Sequence, residues 1–413
     1  MLIEVLVSGL LLVIVALGVF AGFDGASATS GTIKARAMAS GVAQQDQERM
    51  RAFKLALLSN YRETRSQTIA GVPYKVVSRG DWISDASGST ACGSASARAD
   101  YLKISSTVTW PAMVGAKPIK AESLVAAPNG SFGPSQGSLG VTVRDGSGTG
   151  VGGVPVSLSG TAARTDVTDD FGCVLYAFLP AGNYTVTLAA PGYVDRQGSN
   201  TVTKSVSVIG EATNNVSLEY DRAGSIDIRF DTKVGAAAPQ PANWDTATIS
   251  HSGLNPPGTR LFGTAGVSKA TLAAGGLFPF NDPYAVYAGN CGNANPSVYG
   301  HTPAFVTVAA GTGYGATVRL PALNLDVRRA GAPLAAARVR VTPKVIGCAG
   351  VLTFATNAAG VLPAPGVPYG AYDVCADDGT RRAVVQNVFN TDPNGTAPVA
   401  LNVPNTGATG TCA

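Results

Sequence analysis

Few residues in this chain have the types and spacing that catalysis or metal binding requires. The 413 residues include two histidines, His251 and His301, which are 50 positions apart. Neither lies in a His-Glu-x-x-His arrangement, and the sequence contains no Cys-x-x-Cys pair, so it predicts no zinc site. No Walker loop and no Gly-x-Ser-x-Gly elbow occurs either. We therefore predict that the protein is not an enzyme, holds no catalytic residues and needs no cofactor or metal.

Two glycine-rich stretches and one acidic stretch are better explained as turns. GTGVGG at 148–153 and GTGYG at 311–315 are not followed by a helix whose N-terminus could bind a phosphate. Asp166, Asp169 and Asp170 could offer oxygens to a weak Ca²⁺ site, but their spacing does not fit an EF-hand loop. A hairpin turn is favoured there.

Glu4 is the one charged residue in the apolar stretch 1–23, MLIEVLVSGLLLVIVALGVFAGF. A helix of this length spans about 34 Å, enough to cross a bilayer, so the sequence predicts a transmembrane helix. A cleaved signal peptide is the less favoured alternative, because no basic residue precedes Lys34. A carboxylate within a membrane costs about 2.5 to 3.5 kcal/mol unless it has a partner. We therefore expect Glu4 to act in assembly, paired with the terminal ammonium of a neighbouring copy.

The composition is that of a turn-rich β protein rather than a nucleic-acid-binding one. Charged residues make up 14% of the chain, the net charge is +4, and there is no run of Lys or Arg, so no nucleic-acid partner is predicted. The 50 glycines and 25 prolines punctuate short apolar segments. Before these segments, residues 31–61 predict an amphipathic helix, with an apolar face at Val42, Met50, Phe53, Leu57 and Tyr61. Its polar residues, from Gln44 to Arg51, are assigned to the other faces.

The N-terminal 60 residues resemble those of a known family. LIEVLVSGLLLVIVALGVFAG, followed by AQQDQERMR, resembles the N-terminus of type IV prepilins and pseudopilins, especially minor pilins. In that family a prepilin peptidase removes a short basic leader that ends in Gly, and the new N-terminus is methylated. The family glutamate follows four mature residues, whereas Glu4 follows three, which suggests that the leader and one residue lie upstream. The resemblance implies three partners: other pilin or pseudopilin subunits, the prepilin peptidase and the cytoplasmic membrane.

After the helix the pattern changes to β strands. Segments 74–83, 101–110 and 119–126 predict a small antiparallel sheet that covers the helix, with Trp82 and Trp110 packed beneath it. Residues 128–137 are a linker by composition. Beyond it an alternating strand, a second strand, a Tyr-x-Val strand and a closing apolar strand occur three times, with starts 86 and 98 residues apart. This repeat predicts one small β-sandwich per unit.

The first repeat resembles a second known family. VRDGSGTGVGGVPVSLSG and TDVTDDFGCVLYAFLPAGNYTVTLAAPGY are similar to the carboxypeptidase regulatory-like domain, a transthyretin-like β-sandwich, over 138–220. The third repeat matches weakly, and the second departs further through an inserted loop at 236–243. Such modules are noncatalytic spacers or binding domains, so the resemblance implies a possible surface ligand.

Six cysteines allow up to three disulfides in an oxidising compartment. Cys348 and Cys375, 27 residues apart on candidate neighbouring strands, are the preferred pair, which would stabilise the fold by roughly 3 to 4 kcal/mol. The sequence does not indicate how the other four cysteines pair, and free buried thiols are an alternative.

The predicted fold class is α+β: a long N-terminal pilin helix with a small antiparallel sheet, followed by tandem all-β sandwiches. The predicted domains are 1–60, 61–137, 138–222, 223–322 and 323–413. We expect a minor pilin or pseudopilin-like subunit of a type IV pilus or type II secretion filament that displays β modules for adhesion or spacing. The alternative is a permanently membrane-anchored surface binding or stalk protein. The expected location is that of a single-pass cytoplasmic membrane protein with an extracytoplasmic C-terminal region, which reaches the cell surface or pilus after assembly.

Overall fold

The computed structural model of the chain contains mainly β strands. It describes residues 2–59, 61–83, 92, 101–111, 113, 117–126, 135–290, 292–345, 350–362, 365–395, 398–405 and 409–412, without the side chains of 2–6, 11, 14, 18, 20–29 and 56. Within these residues the strands form eight sheets. A mostly β protein with several sandwich sheets, as the composition and the repeat predict, is confirmed.

The N-terminal helix α1 spans Leu2–Arg51, and a short helix α2 follows at Leu55–Leu58. The prediction of one helix as far as Tyr61 is wrong. The Phe53 amide donates to the Met50 carbonyl at 3.0 Å, a tightened final turn, and Lys54 is extended with ψ of 141°. Leu57, assigned to the apolar face, is consequently exposed.

The expected transmembrane helix over 1–23 is not supported. In the part of the chain that the structure describes, no helix has both the length and the apolar character needed to cross a membrane. The half of α1 in which every side chain is described, from Ser30 to Arg51, carries charged residues and packs against a sheet. Its apolar face is therefore used inside the protein.

The first sheet is an antiparallel meander in the order β1-β2-β3-β4. Its strands are β1 (Arg62–Ile69), β2 (Val72–Ile83), β3 (Tyr101–Thr109) and β4 (Ile119–Ala126). The three strands expected from the sequence are present, and Trp82 and Trp110 are buried as predicted. β1 was not foreseen, because its sequence RETRSQTI is almost entirely polar. Ala70 and Gly71, both with positive φ, form the two-residue turn that pairs β1 with β2.

The next sheets lie in sequence between Gln136 and Arg222. One has the order β11-β9-β6-β7, another β12-β5-β8, and β10 pairs with β13. The strands are β5 (Gln136–Arg144), β6 (Pro155–Gly160), β7 (Arg164–Val167), β8 (Cys173–Pro180), β9 (Gly182–Ala189), β10 (Tyr193–Val194), β11 (Thr201–Val208), β12 (Thr213–Glu219) and β13 (Asp221–Arg222).

Two further pairs of sheets follow. The first pair has the strand orders β15-β14-β18, with β21 beside β14, and β17-β16-β19-β20. Its strands are β14 (Gly224–Lys233), β15 (Gln240–Ala242), β16 (Thr246–Ser250), β17 (Thr259–Gly263), β18 (Thr271–Leu277), β19 (Tyr284–Ala288), β20 (Ala304–Val306) and β21 (Gly313–Pro321). The second pair has the strand orders β23-β22-β28 and β25-β24-β26-β27. Its strands are β22 (Leu325–Arg329), β23 (Ala332–Pro333), β24 (Arg338–Pro343), β25 (Leu352–Ala355), β26 (Gly370–Asp377), β27 (Arg382–Asn390) and β28 (Val399–Val403). Short 3₁₀ helices lie at Gly292–Ala294 and Pro296–Tyr299.

The same strand arrangement recurs in the three sandwiches. In each, the first strand lies beside the last: β5 beside β12, β14 beside β21 and β22 beside β28. In each, the second strand pairs antiparallel with the Tyr-x-Val strand: β6 with β9, β16 with β19 and β24 with β26. The repeat read from the sequence therefore corresponds to a repeat of topology.

The tyrosine of each Tyr-x-Val strand is buried and holds the turn before it. The hydroxyl of Tyr184 donates to the carbonyl of Pro180 at 2.8 Å, and that of Tyr372 to Pro368 at 2.8 Å. Tyr284 donates to Phe278 at 2.7 Å. This resembles the tyrosine corner of other β-sandwiches, in which a phenol ties a strand to the backbone just upstream. It explains why the repeat keeps a tyrosine where phenylalanine would supply the same apolar ring.

The chain forms two compact units. Unit 1 contains residues 1–143, 150–188 and 203–218, and unit 2 contains residues 144–149, 189–202 and 219–413. Unit 2 has one continuous apolar core that runs from Ile226 on β14 to Val403 on β28. In unit 1, Trp82, Leu102 and Ile104 of the first sheet share a cluster with Leu175 and Ala177 of β8. The finer five-domain division stays a prediction.

Candidate functional site

The C-terminal half of α1 packs on the first sheet through a narrow apolar stripe. Ala39, Val42 and Ala43 are buried against Tyr74, Val76, Val108 and Trp110, and Met50 is buried against Trp82 and Leu102. Small residues at 39 and 43 let the helix approach the sheet closely. Between the two clusters α1 presents polar residues to the same sheet. We call this contact, formed by Asp46, Gln47 and Arg49 with their strand partners, the polar seam.

Asp46 is the centre of the polar seam and is 1% exposed. Its Oδ2 accepts hydrogen bonds from Ser78 Oγ at 2.6 Å and Ser106 Oγ at 2.7 Å. Its Oδ1 accepts from Arg49 Nη2 at 2.9 Å and also from Arg65. Burial by itself would raise the pKa of this carboxyl, but the bonds from the two serines and Arg49 outweigh it and hold the pKa below its usual value. Asp46 is therefore an ionised anchor.

Gln47 continues the seam toward the next strands. Its Nε2 donates to the Ala121 carbonyl at 3.0 Å and to Ser106 Oγ at 3.1 Å, and its Oε1 accepts from Ser123 Oγ at 2.6 Å. These partners lie on β3 and β4, whereas Ser78 lies on β2. Two adjacent helix residues thus fix α1 against three strands, which determines both its rotation and its axial position.

Arg49 links the seam to the loop that follows the helix. Its Nη1 donates to Tyr61 Oη at 3.1 Å, and its Nη2 pairs with Glu63, which also accepts from Tyr61 at 2.8 Å. The guanidinium lies 5.3 Å from the ring centre of Phe53. Burial would raise the pKa of Glu63, but the bonds from Tyr61 and Arg49 lower it. These contacts connect the last turn of α1 to Tyr61 and to Glu63 of β1.

The polar seam positions the helix and has no arrangement for catalysis. Ser78 and Ser106 donate to Asp46, and this carboxylate is a weak base because its pKa is lowered by the same hydrogen bonds and by Arg49. Ser78 and Ser106 are fully buried, which excludes a substrate. Sequence reasoning placed Asp46 on a polar face, although it lies four residues from both Val42 and Met50 and hence on the buried face. This four-residue spacing was the signal in the sequence that could have predicted the burial of Asp46.

The N-terminal half of α1 presents apolar side chains to solvent. Between Val7 and Val19 the large apolar side chains that the structure describes are between 51% and 71% exposed: Val7, Leu10, Leu12, Val13, Val15, Leu17 and Val19. We call these seven residues the apolar segment of α1. Contiguous exposed apolar surface of this kind marks an interaction site.

Glu4, the predicted assembly residue, is part of α1, but the structure does not describe its side chain. Its role in pairing therefore stays a prediction. Cys348 lies outside the described residues as well. Cys375 is bonded to Cys412, with Cα atoms 5.7 Å apart, so the predicted Cys348–Cys375 disulfide is wrong. The Cys412 amide donates to the buried carboxylate of Asp377 at 2.8 Å, which holds the C-terminal segment against β26.

The second described disulfide joins Cys92 to Cys173, 81 residues apart, at a Cα separation of 5.8 Å. Cys92 lies between β2 and β3, and Cys173 begins β8. Thr142 Oγ1 of β5 also donates to the Cys92 carbonyl at 3.3 Å. The bond therefore joins Cys92 to β8 within unit 1.

The two histidines are not brought together as ligands of a metal. His251 stacks on Phe280 with ring centres 3.9 Å apart, and its Nδ1 accepts from the Gly253 amide at 2.9 Å. Burial lowers the pKa of His251, so the ring is neutral at pH 7. His301 lies near Tyr369 instead. Within the described residues no group of three or more His, Cys, Asp or Glu could hold a metal ion.

Comparisons with known proteins assign the chain to no family. No family model matches the sequence, and no curated protein matches it. The Bacillus anthracis TIE protein is 12% identical over 84% of this chain and 74% of its own, with a TM-score of 0.23. BcpA, the major pilin subunit of Bacillus cereus, is 9% identical over 66% and 100%, with a TM-score of 0.20. GBS52, the minor pilin of Streptococcus agalactiae, is 12% identical over 44% and 94%, with a TM-score of 0.22.

These findings correct the two family resemblances. TM-scores this low assign neither a shared fold for the whole chain nor a function. The resemblance to type IV prepilins and to the carboxypeptidase regulatory-like domain is wrong, since no family model matches the sequence. The expected prepilin processing, with its type IV pilus or type II secretion role, is withdrawn with it, as is the permanently membrane-anchored alternative. Both resemblances were inferred from short apolar and turn motifs, which unrelated helices and hairpins share.

Proposed function

We propose that this protein is a non-enzymatic structural subunit of a cell-surface assembly, with its β-sandwiches as displayed modules. The observation that carries the proposal is the repetition of one strand arrangement three times along the chain. A repeated module adds length and outer surface to a protein, and function then depends on what that surface binds. Other subunits of the same surface assembly are the proposed partners.

The disulfides support a location outside the cytoplasm. Cys92–Cys173 and Cys375–Cys412 each close a long loop, and such bonds persist in oxidising compartments. Each stabilises its unit mainly by restricting the unfolded chain. This suits a displayed protein that must withstand extracellular conditions.

The apolar segment of α1 supports association with another subunit. Its seven side chains are exposed, whereas the C-terminal half of the same helix is fixed by the polar seam. Exposed valine and leucine side chains gain roughly 25 cal/mol per Å² when a partner covers them. The proposed contact is therefore an apolar surface of a neighbouring subunit laid along this segment.

Surface display and association can be tested together in cells that produce the protein. A membrane-impermeant amine-biotin reagent is applied to intact cells, the proteins are cross-linked, and the masses of the labelled species are measured. We expect labelled complexes larger than the 41.7 kDa chain. The double variant Leu10→Ser, Leu17→Ser should be labelled equally but recovered mainly at the single-chain mass.

The control is Leu261→Ser on β17, an exposed leucine outside α1, which should leave the complexes unchanged. Labelling that requires broken cells would contradict surface display. Complexes of the same size and yield in the double variant would contradict the association through α1.

A further inference from the structure

A cleft of about 390 Å³ lies on one face of the sheet β17-β16-β19-β20 in unit 2. Ser250 of β16, Ala285 of β19 and Phe305 of β20 are paired across three neighbouring strands and form one row in the cleft. Asp282 and residues of the loop 251–258 complete the lining. We call this site the Asp282 cleft. Its volume is within the range of ligand pockets, about 300 to 1,000 Å³.

The row of residues in the Asp282 cleft faces away from the apolar core. Side chains alternate between the two faces of a strand, and Ile249 and Val286, the chain neighbours of Ser250 and Ala285, are fully buried in the core. Ser250 and Ala285 have small side chains, so they leave a depression beside the ring of Phe305. This ring is 57% exposed and is therefore accessible to a ligand.

Hydrogen bonds hold the loop 251–258 in place. The His251 amide donates to the Gly258 carbonyl at 3.0 Å, and the Gly258 amide donates to the Asn255 carbonyl at 2.7 Å. The Asn255 amide donates to Gln197 Oε1 at 2.8 Å, which connects the loop to another segment of unit 2. A site that is formed in advance loses less conformational entropy when a ligand binds.

The Asp282 cleft is acidic. Asp282 is exposed, and the ion pairs of the described residues do not include it. The lining contains no Lys or Arg, and burial lowers the pKa of His251 and keeps its ring neutral. Arg196, which lies close enough to affect His251, is paired with Glu219 at 3.0 Å. The cleft therefore repels an anionic ligand and attracts a cation.

An exposed aromatic ring beside a carboxylate favours an organic cation. The face of a phenylalanine ring is negative and attracts a cation placed over it. A guanidinium group uses both features, because it is planar, stacks on aromatic rings and donates two parallel hydrogen bonds to one carboxylate. A lysine ammonium offers neither the flat face nor the paired donors.

We propose that the Asp282 cleft binds the guanidinium group of an arginine side chain on a protein partner. The guanidinium stacks on the ring of Phe305 and donates to the carboxylate of Asp282. Asp282 and Phe305 are both exposed, so the backbone that carries the arginine remains outside the cleft. This binding site goes beyond the proposed structural role and does not depend on the apolar segment of α1.

The test measures the binding of short peptides to the full chain by fluorescence anisotropy. The probe is acetyl-Gly-Arg-Gly-amide that carries an uncharged dye. In two comparison peptides, lysine or the neutral isostere citrulline replaces the arginine. We expect saturable binding of the arginine peptide, weaker binding of the lysine peptide and no binding of the citrulline peptide.

Free arginine, added as a competitor, distinguishes a side chain of a partner from a small-molecule ligand. Its own carboxylate is repelled by Asp282, whereas the capped peptide has no carboxylate. We therefore expect free arginine to compete roughly tenfold less well than the unlabelled arginine peptide.

Two variants locate the interaction. Asp282→Asn removes the charge and should weaken binding of the arginine peptide roughly fivefold, and Phe305→Leu removes the ring and should weaken it roughly threefold. Asp227→Asn on β14 and Phe389→Leu on β27 are the matched controls, because they change exposed residues of the same types in unit 2. Both controls should bind as the unmodified protein does. All four side chains are exposed, so the thermal midpoint should not change.

Equal affinity for the arginine and citrulline peptides would overturn the proposal, and equal affinity for the lysine peptide would overturn the guanidinium as the preferred group. Free arginine that competes as well as the peptide would overturn a protein partner as its source. The same loss in Asp227→Asn as in Asp282→Asn would show that the peptide responds to net charge and not to the cleft.

Discussion

Single buried side chains fix the backbone around them in each sandwich. The side chains of Tyr184, Tyr284 and Tyr372 are fully buried. The hydroxyl of each donates a hydrogen bond to a backbone carbonyl four to six residues upstream. Burial raises the pKa of Tyr372 above its ordinary value, so the phenol is protonated at neutral pH and donates its hydrogen bond. The ring contributes apolar packing, and the hydroxyl holds the preceding turn.

Tyr372→Phe tests this division of roles. The variant keeps the ring but leaves the Pro368 carbonyl without its buried donor, so we expect a loss of about 1 to 2 kcal/mol of unfolding free energy. Tyr314→Phe, at a partly exposed tyrosine on β21, should change stability by less than about 0.5 kcal/mol. Urea unfolding followed by tryptophan fluorescence measures both. Equal losses in the two variants would show that the hydroxyl of Tyr372 is not the cause.

At the scale of elements, the polar seam decides how α1 lies on the first sheet. An apolar stripe alone would let a helix slide or rotate by part of a turn, since apolar contacts are not directional. Asp46 and Gln47 each require partners at defined positions on the strands, Ser78, Ser106 and Ser123. Buried hydrogen bonds of this kind are satisfied in one arrangement and lost in others.

Asp46→Asn should destabilise the helix–sheet contact in a pH-dependent way. The folded state lowers the pKa of Asp46 below its unfolded value near 3.9. Its stabilisation is therefore complete above pH 4 to 5 and is lost as pH falls through the folded pKa. At pH 7 we expect a loss of roughly 2 to 4 kcal/mol, because Arg49 and Arg65 keep their charges without their buried partner.

The measurement is urea unfolding of the protein and of Asp46→Asn between pH 7 and pH 2. The difference between the two should shrink in the acid range. Glu48→Gln removes the exposed partner of Arg51 and should cost less than about 0.5 kcal/mol, with little pH dependence. A difference that stays constant down to pH 2 would mean that the charge of Asp46 contributes nothing.

At the scale of the whole molecule, each described disulfide closes a loop inside one compact unit. Cys92–Cys173 lies in unit 1 and Cys375–Cys412 in unit 2, with sequence separations of 81 and 37 residues. On the chain-entropy model these loops are worth about 4 to 5 kcal/mol each, with the longer loop worth slightly more. Their effects should therefore be local to a unit.

We expect Cys375→Ser, Cys412→Ser to lower the thermal midpoint of unit 2 and to leave that of unit 1 unchanged. Cys92→Ser, Cys173→Ser should do the reverse. Hydrogen exchange with mass spectrometry during heating assigns each transition to its peptides. A single transition that moves equally in both double variants would show that the two units unfold as one.

Sequence reasoning recovered four strands in each sandwich, because alternation of apolar residues and the Tyr-x-Val signature are local patterns. It did not recover the strands between them, such as β8 and β18. It missed β1, whose polar residues carry no alternation and which is held by pairing with β2. It also missed Asp46 and Gln47, because polarity was taken to mean exposure. The N-terminal apolar stretch misled it most, since a family was inferred from this stretch, Glu4 and the polar segment AQQDQERMR that follows.

The sequence by itself determined the turn-rich β class, the three repeated units and the tyrosines that fix them, since each depends on neighbours a few residues away. Only the tertiary structure decided which cysteines meet, which face of α1 is buried, and that Trp244 lines a cavity. These features join residues that are distant in the chain, such as Cys92 with Cys173 or β15 with β25. Such pairings depend on how sheets pack, and packing optimises the sum of many weak contacts that no local pattern records.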